Sequence, residues 1–381
     1  MTKIAVTKCS DYLQPNVDQA VHAALELIGG ISTFVTPNQK VLIKPNVLIN
    51  YSPDKAATTH PTVVAAVVKE VLKAGGIPLV GDSPGNAFGN VEQFMVITGI
   101  KPAVEAAGGE MVYFEASGTT EVSPGIRIAK AVIEADVIIN LPKLKTHGLT
   151  LYTGAVKNMF GSVPGFLKAK CHASHPHPRD FANLIVNIYK ATKPQLTIMD
   201  AIIGMEGDGP SAGQPRTFGA IIASADGVAL DAAAAALIGF KPDEIITTTL
   251  AGQQKLGNSN LSLIEIIGGT INEFAQLDWN KPAGLYQRIK WLPDSLFRLA
   301  TPIINLLKAN PVIIQDKCKR CHICLKSCPV KTIFQDSKTK TVTINLKKCI
   351  NCYCCHELCP YQAIKIEKSW ILRRLGIGTT D

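Results

Sequence analysis

The chain has 381 residues, of which 46% are hydrophobic, and a formal net charge of +9 at pH 7. This length can hold a large domain with its own core and a smaller second domain. No apolar run reaches the roughly 20 residues of a membrane span, and the N-terminus reads as a first strand rather than a signal peptide. These features exclude a membrane-embedded class.

The N-terminal region alternates short apolar runs with helical stretches. The predicted strands are residues 40–44, 77–80, 111–114, 135–140, 196–199 and 219–223, and the clearest helices are residues 17–27, 62–74 and 227–238. Short apolar strands between helices are typical of a mostly parallel sheet covered on both faces. We therefore predict a layered α/β domain over residues 1–272, with no strand order assigned.

Polar residues follow three of these strands, where each strand ends. Because ligands gather beyond the carboxyl ends of such strands, the three segments are expected to form one pocket. Pro61 suits the first position of a helix, which places His60 at the same edge. The predicted pocket residues are Lys44, Asn46, His60, Asp82, Lys143, Lys145, His147 and Lys157.

These residue types suggest a chemistry. Clustered lysines suit an anionic substrate such as a carboxylate or phosphate, so the lysines and Asn46 are predicted to bind it. His60 and His147 are predicted to supply protons, with Asp82 beside them as a third catalytic candidate. Each also has a plainer interpretation, since Asp82 can shape a turn and His60 can cap its helix.

Two further segments carry chemistry-bearing residues without matching a standard template. The glycine-dense residues 204–213 lack both phosphate-loop and dinucleotide-binding spacing, so a mobile loop over the pocket and plain turns are both open. Residues 171–177 hold Cys171, His172, His175 and His177 at short spacing. Without a partner cluster these are more often structural than a metal site.

A helical connector is predicted for residues 273–310, followed much later by a basic and apolar tail at residues 369–381. Apolar residues recur at helical spacing between residues 291 and 308, interrupted by Pro302. Packing against the neighbouring domain is the preferred interpretation. Attachment to a membrane surface is the alternative, because Trp370 begins a second basic and apolar patch.

The strongest signal is a doubled run of cysteines between residues 318 and 359. Each run has the spacing Cys-x2-Cys-x2-Cys-x3-Cys-Pro, which is the bacterial pattern for two [4Fe–4S] clusters. Structural zinc is the competing interpretation, but a zinc site has no use for eight thiolates in this order. In this pattern the fourth cysteine of each run ligates the other run's cluster. One predicted set is Cys318, Cys321, Cys324 and Cys359, and the other is Cys349, Cys352, Cys355 and Cys328.

The surroundings of these cysteines support a small α+β ferredoxin-like domain over residues 311–368. The segments after the two Cys-Pro pairs resemble each other, and residues 338–345 alternate as half of a hairpin. Cys354 is left over and is predicted to be a passive thiol. Exposed iron–sulfur ligands and unpaired thiols suit a reducing compartment, so the cytoplasm is expected.

The positive charge is concentrated in this C-terminal part. Residues 311–381 contain thirteen Lys and Arg against five Asp and Glu, whereas the preceding region is close to neutral. Much of the excess compensates the negative clusters, and a docking surface for an acidic redox partner is the next interpretation. Nucleic-acid binding is excluded because no recognition motif accompanies the charge.

An ordered series of motifs in residues 2–268 carries a resemblance to a known family. The motifs are Lys44-Pro45-Asn46, His60-Pro61, Gly81-Asp82-Ser83-Pro84-Gly85, Pro142-Lys143-Leu144-Lys145-Thr146-His147, a segment around Lys157-Asn158, and Asp226-Gly227-Val228-Ala229-Leu230-Asp231. This region resembles the uncharacterised iron–sulfur proteins whose main part is called domain of unknown function 362. The resemblance implies the two-part architecture and adds Asn158 to the substrate-binding residues, but it implies no reaction.

Two functions follow as hypotheses. In the first, the protein is a ferredoxin-type reductase that passes electrons from two [4Fe–4S] clusters to a small anionic substrate in the predicted pocket. In the second, it is a non-catalytic carrier or maturation factor that delivers electrons to a partner protein or cofactor. No nicotinamide or flavin fingerprint is present, which suits both.

Overall fold

A computed structural model of the chain describes residues 1–85, 90–165, 167–241, 243–282 and 309–367. The helix predicted within residues 291–308 and the basic tail at residues 369–381 lie outside the described residues. Within the described residues, no helix is long and apolar enough to cross a membrane.

A large mixed sheet forms the centre of the N-terminal domain. Its strands are β1 (Thr2–Lys8), β2 (Lys40–Pro45), β3 (Ile77–Val80), β4 (Glu110–Met111), β7 (Val137–Leu141), β8 (Lys143–His147), β9 (Leu151–Thr153), β10 (Leu196–Glu206), β11 (Gln214–Ser224) and β12 (Ile264–Ile267), while β5 (Thr119–Ser123) and β6 (Ile126–Ala129) form a separate hairpin. The strand order is β12-β1-β11-β10-β7-β2-β3-β4, with β8 and β9 attached beside β10. Six strand pairs are parallel, while β1–β11, β10–β11 and β8–β9 are antiparallel. The predicted mostly parallel α/β domain is confirmed.

Helices cover both faces of this sheet. They are α1 (Gln14–Leu27), α2 (Pro61–Lys73), α3 (Val91–Ile97), α4 (Ile100–Ala106), α5 (Lys130–Ile133), α6 (Ala155–Asn158), α7 (Leu167–Ser174), α8 (Pro178–Thr192), α9 (Gly227–Leu237), α10 (Ile246–Gln253) and α11 (Ile271–Phe274). Successive residues of β2 point into opposite cores, since Val41 and Ile43 pack with α1 and α2 whereas Leu42 packs with α8. Burial on both faces explains why these strands read as continuous apolar runs.

Strand β8 corrects one expectation. The sequence suggested that Lys143, Lys145 and His147 occupy a polar loop after a strand, but they lie in a strand that is buried along its whole length. Pro142 interrupts the ladder after β7, and β8 resumes pairing with the distal half of β10. The two-residue period of a strand then sends these three side chains to one face and Leu144 to the core on the other.

The packing of the large domain continues beyond residue 272. Phe274 and Trp279 are both 3% exposed and belong to the core that contains Phe240 and strand β11. The side chain of Arg216 lies over the Trp279 ring and also binds Asp278. These contacts fix residues 274–279 to the sheet.

The C-terminal domain is a small two-fold repeat. It contains β13 (Asn310–Ile313), β14 (Ile333–Gln335), β15 (Val342–Ile344) and β16 (Ile364–Glu367), with helices α12 (Ile323–Ser327) and α13 (Cys354–Glu357). Strand β13 pairs with β16, and β14 pairs with β15. Left-handed residues recur 31 positions apart with nearly equal φ: Arg320 and Asn351 (55° and 53°), His322 and Tyr353 (63° and 58°), Lys331 and Gln362 (51° and 48°). The repeat predicted from sequence therefore extends to the backbone.

Candidate functional site between the two domains

A cavity of about 870 Å³, counted with its mouth, lies where the carboxyl ends of β2 and β3 face the C-terminal domain. Predicted pocket residues on its wall are Asn46, Asp82, His147, Lys157 and Asn158. Helix α7 adds Lys168 and His172, and the C-terminal domain adds Ser327, Cys354, Glu357 and Leu358. Residues of both domains therefore build its wall.

Direct contacts hold the C-terminal domain against this edge of the sheet. The hydroxyl of Tyr51 donates to the carbonyl oxygen of Cys359 at 3.2 Å, and Ser211 Oγ donates to the carbonyl oxygen of Glu357 at 2.9 Å. Ser211 belongs to the glycine-dense segment, whose residues 207–213 connect β10 and β11. That segment therefore supports the domain interface.

Asp82, on the cavity wall, forms a buried ion pair with Lys44, which does not line the cavity. Lys44 Nζ lies 2.7 Å from Asp82 Oδ1, and the two side chains are 0% and 2% exposed. Asp82 Oδ2 accepts a hydrogen bond from the backbone N–H of Val47 at 2.7 Å. Gly161 packs against the pair so closely that a Cβ there would collide with both charged groups. Burial lowers the pKa of Lys44 and raises that of Asp82, while each partner opposes the shift of the other.

A chain of hydrogen bonds orients the two asparagines. Lys145 Nζ donates to Asn46 Oδ1 at 2.7 Å and to the carbonyl oxygen of Ala57 at 2.6 Å. Asn46 Nδ2 in turn donates to Asn158 Oδ1 at 3.0 Å, and Asn158 Nδ2 donates to Asn140 Oδ1 at 2.7 Å. Because Lys145 is occupied by these acceptors, it positions Asn46 and does not itself line the cavity.

Lys157 is the cation that this wall leaves available. Among the described residues its ammonium makes no hydrogen bond and no close ion pair, although Glu357 and Cys354 are its electrostatic neighbours. Burial is the main cause that lowers its pKa, and the charge of Glu357 opposes that shift. Thr153, also on the wall, is 3% exposed and its Oγ1 has no hydrogen-bond partner in the described residues. A cation and an unpartnered hydroxyl thus face the same space.

His147 is held as a neutral imidazole. Its Nδ1 accepts backbone N–H groups from Leu149 at 3.0 Å and Thr150 at 3.4 Å, which places the ring proton on Nε2. Nε2 lies 3.5 Å from Glu357 Oε1. Burial is the largest cause that lowers the pKa of His147 well below its usual value, and nearby Lys157 adds to it.

Helix α7 contributes two residues that sequence reasoning did not place in the pocket. Lys168 Nζ donates to Ser83 Oγ at 2.5 Å and to the carbonyl oxygen of Pro84 at 3.2 Å, and burial lowers its pKa to about 8. His172 stacks on Phe181 with ring centroids 4.2 Å apart, and burial lowers its pKa to about 3.

The rest of the segment at residues 171–177 has structural contacts. His177 caps α8 by accepting the backbone N–H of Arg179 at 3.2 Å. His175 Nδ1 lies 2.9 Å from Ser174 Oγ, and Cys171 is 6% exposed within the core that includes α8. Within the residues that the structure covers, no three His, Cys, Asp or Glu side chains converge on a single metal ion.

Lys143 and His60 do not line the cavity. Lys143 Nζ donates to Asp200 Oδ2 and to the hydroxyl of Tyr12, both at 2.7 Å, and Tyr12 donates to Asp200 Oδ1 at 2.8 Å. The ring of His60 stacks on Tyr12 at 3.6 Å, and its Nδ1 accepts the backbone N–H of Thr62 at the start of α2. Burial lowers the pKa of His60 to about 4. The side chains of Lys143, Tyr12, Asp200 and His60 thus form a network separate from the cavity. The expectation that one pocket holds all the predicted residues is therefore corrected.

The first predicted cysteine set surrounds its own space. Cys318, Cys321, Cys324 and Cys359 line a cavity of about 360 Å³, and the backbone N–H of Ala363 donates to Cys359 Sγ at 3.3 Å. Burial and the three neighbouring sulfurs raise the pKa of Cys324 to about 12. Four cysteines around one shared space, with a backbone amide donor on one sulfur, provide the donor set that a four-iron cubane uses.

The second predicted set also brings its sulfurs close together. Burial raises the pKa of Cys355, and the charges of Cys352, Cys349, Cys324 and Cys328 act in the same direction. Backbone N–H groups donate to Cys328 Sγ at 3.3 Å and to Cys349 Sγ at 3.4 Å. The left-over Cys354 instead lies on the wall of the interdomain cavity and is 8% exposed.

The fold and the two cysteine groups define an iron–sulfur electron-transfer protein. Residues 41–236 match the family described as domain of unknown function (DUF362), and residues 317–363 match the 4Fe-4S dicluster domain. The chain is also 37% identical over 258 residues to a thylakoid-associated protein of Synechocystis sp., which covers 67% of this chain and 79% of that protein. The protein thus belongs to the DUF362 family, and its C-terminal domain binds two [4Fe–4S] clusters, which confirms the resemblance.

Sequence reasoning missed several residues of the cavity and its supports. Cys354, Glu357 and Leu358 come from the other domain, and no pattern within one segment signals an interdomain contact. Tyr12 follows strand β1 and Asp200 lies within strand β10. Both are far in sequence from the motifs that predicted the pocket. The alternation of polar and other residues from Lys143 to His147 is typical of a strand, and it was the sequence signal that these lysines lie in one.

Proposed function

We propose that the protein is a reductase that transfers electrons to a small anionic substrate in the interdomain cavity. The observation that carries this proposal is that residues next to the second cysteine set form part of the cavity wall. Ser327 and Cys354 line the cavity, and each is adjacent in sequence to a proposed ligand, Cys328 and Cys355. When bound, the two clusters supply single electrons. A substrate in the cavity would then lie beside the cysteines that hold one of them.

Lys157 is proposed to bind the anionic group of the substrate. Its ammonium is partly buried and has no close partner among the described residues, so it favours an incoming negative charge that would offset its desolvation. Asn46 and Asn158, fixed by their mutual hydrogen bond, offer amide groups at known orientation, and Thr153 offers a hydroxyl that makes no hydrogen bond to any described residue. A carboxylate with a neighbouring polar group suits this wall best.

Lys168 is proposed to donate the proton that reduction requires. Its pKa of about 8 keeps the ammonium protonated at neutral pH yet makes it a better acid than an ordinary lysine. The two histidines predicted for this role are less suited, because burial keeps His147 neutral and His60 does not reach the cavity. His147 Nε2 instead lies 3.5 Å from Glu357 Oε1 of the C-terminal domain.

Anaerobic reoxidation assays test this function. The holoprotein is reduced, a panel of small carboxylates and phosphates is added, and the cluster absorbance is followed. Lys157→Met should raise the KM of any accepted compound about 10- to 100-fold, the effect of losing one charge-assisted hydrogen bond of about 1.5–3 kcal/mol. Lys170→Met is the matched control, because Lys170 lies on α7 but is exposed and outside the cavity.

The alternative of a non-catalytic carrier has a distinct outcome. If no small molecule accelerates reoxidation while a partner protein does, and Lys157→Met leaves that rate unchanged, the reductase proposal fails. We also propose a cytoplasmic location, because the proposed cluster ligand Cys321 is exposed and such a cluster suits a reducing compartment. One relative is described as thylakoid-associated, so cell fractionation should test whether this protein is instead bound to a membrane surface.

A further inference from the structure

We propose that the solvent side of the first cysteine loop is the docking surface for an acidic electron-carrier protein. This surface, the Cys321 face, consists of Lys319, Arg320, Cys321, His322 and Tyr361. It does not depend on the substrate in the interdomain cavity, because it lies on the cavity of the first cysteine set.

The two-fold repeat makes the charge of this face informative. The loop Cys318-Lys319-Arg320-Cys321 corresponds, 31 residues later, to Cys349-Ile350-Asn351-Cys352. Both loops have the same backbone course, since Arg320 and Asn351 share a left-handed φ of 55° and 53°. The fold around a cluster therefore does not require cations here, as the second loop has none between its cysteines.

The two loops also differ in what covers them. Asn351 is 8% exposed and its Nδ2 donates to the carbonyl oxygen of Ala309 at 2.7 Å, where the hydroxyl of Tyr353 also donates at 3.0 Å. Their counterparts are Arg320, which is exposed, and His322, which is partly exposed and contacts Gln335. The first loop is thus open to solvent where the second is closed by the chain.

Cys321 is the exposed member of the eight proposed ligands. Single-electron transfer requires close approach, so a carrier is expected to dock over this residue. Tyr361, on the same cavity, is 45% exposed and offers an aromatic contact to a partner. Lys319 and Arg320, also on this cavity, are exposed and supply positive charge.

Charge selects the kind of partner. Residues 309–367 contain ten Lys and Arg against four Asp and Glu, and one of the acids, Glu357, is turned toward the interdomain cavity. Two four-thiolate cubanes contribute about −2 each, which leaves the domain positive. A positive surface steers an acidic partner and repels a basic one, so the carrier is an acidic ferredoxin-like protein.

The test measures electron transfer from a reduced acidic [2Fe–2S] ferredoxin to the oxidised holoprotein by stopped flow, together with the Kd of the two oxidised proteins. The double variant Lys319→Glu with Arg320→Glu should lower the second-order rate constant about 10- to 100-fold at low salt and raise the Kd. Raising the ionic strength should slow the unmodified protein and leave the variant nearly unaffected.

The matched control is Lys347→Glu with Lys348→Glu. These residues are exposed in the same domain and the substitutions change the net charge equally, so they should alter the rate constant less than threefold. Iron content and the rate of reduction by photoreduced deazaflavin verify that the clusters are intact. If the glutamate variant loses iron, Lys319→Gln with Arg320→Gln replaces it and should show a smaller loss of the same kind.

Two results would overturn the proposal. Equal losses in both double variants would mean that net charge, rather than the Cys321 face, controls association. An unchanged rate constant and Kd in the Lys319 and Arg320 variants would place electron entry elsewhere. Because deazaflavin reduction and the cavity assays do not involve the carrier, these results leave the proposed reductase activity to its own test.

Discussion

Replacement of Lys44 by methionine separates a structural role from a substrate-binding one. The ammonium is 0% exposed and lies 2.7 Å from Asp82 Oδ1, so the variant leaves a carboxylate buried without its counter-ion. Removal of one partner from such a pair costs about 3–5 kcal/mol. For a domain of this size, 1 kcal/mol corresponds to roughly 2–4 °C in Tm, so the loss should be about 10 °C. Circular dichroism of the anaerobic holoprotein measures it.

Two companion variants make this result specific. Lys69→Met removes a pair of similar length, 2.6 Å to Asp18, whose side chains are 38% and 35% exposed. It should change the Tm by less than about 2 °C, because exposed pairs contribute roughly 0–1 kcal/mol. Combining Lys44→Met with Asp82→Asn should recover at least half of the loss. A Lys44→Met protein with normal Tm and a raised KM for the substrate would refute the structural role and restore the sequence-based prediction.

Three further predictions concern other residues of the two domains. His60→Ala should lower the Tm by a few degrees, because it removes the stack on Tyr12 and a helix cap that contributes about 1 kcal/mol. The substrate KM should stay unchanged, and a lost turnover at normal Tm would contradict this prediction. The turnover rate should fall as the pH rises through about 8, because Lys168 loses its proton there. Lys168→Arg should be slower by about 100-fold and should lack this decline. A pH–rate profile that keeps the decline in the variant would assign it to another group. Cys354→Ala should retain about eight iron atoms per chain and Cys355→Ala about four, as measured by iron analysis, and equal losses would remove the distinction between ligand and wall residue.

The cysteine runs and the layered sheet were predictable because their signals are local. Ligand spacing within one loop determines which sulfurs can surround one cluster, and the apolar runs of β2, β3 and β7 reflect burial on both faces. Pro61 likewise indicated the start of α2. His60 caps this helix, which was one of the two roles suggested by the sequence.

The composition of the cavity was only partly predictable, because a polar residue at a strand end does not reveal its partner. Lys44 and Lys143 carry the same signal in sequence as Lys157, yet the first two are neutralised by Asp82 and Asp200. Asp200 is distant in sequence and lies within a largely apolar strand. Only tertiary packing decides which lysine remains available to a ligand.

The wall formed by α13 has a consequence for how the two domains can be exchanged. Cys354, Glu357 and Leu358 shape the space beside the sheet, and the proposed ligands Cys355 and Cys359 belong to the same short stretch of chain. Grafting a foreign ferredoxin onto this sheet would therefore replace part of the cavity wall along with the two clusters. If the cavity binds the proposed substrate, the identity of the redox domain and the choice of substrate are encoded together.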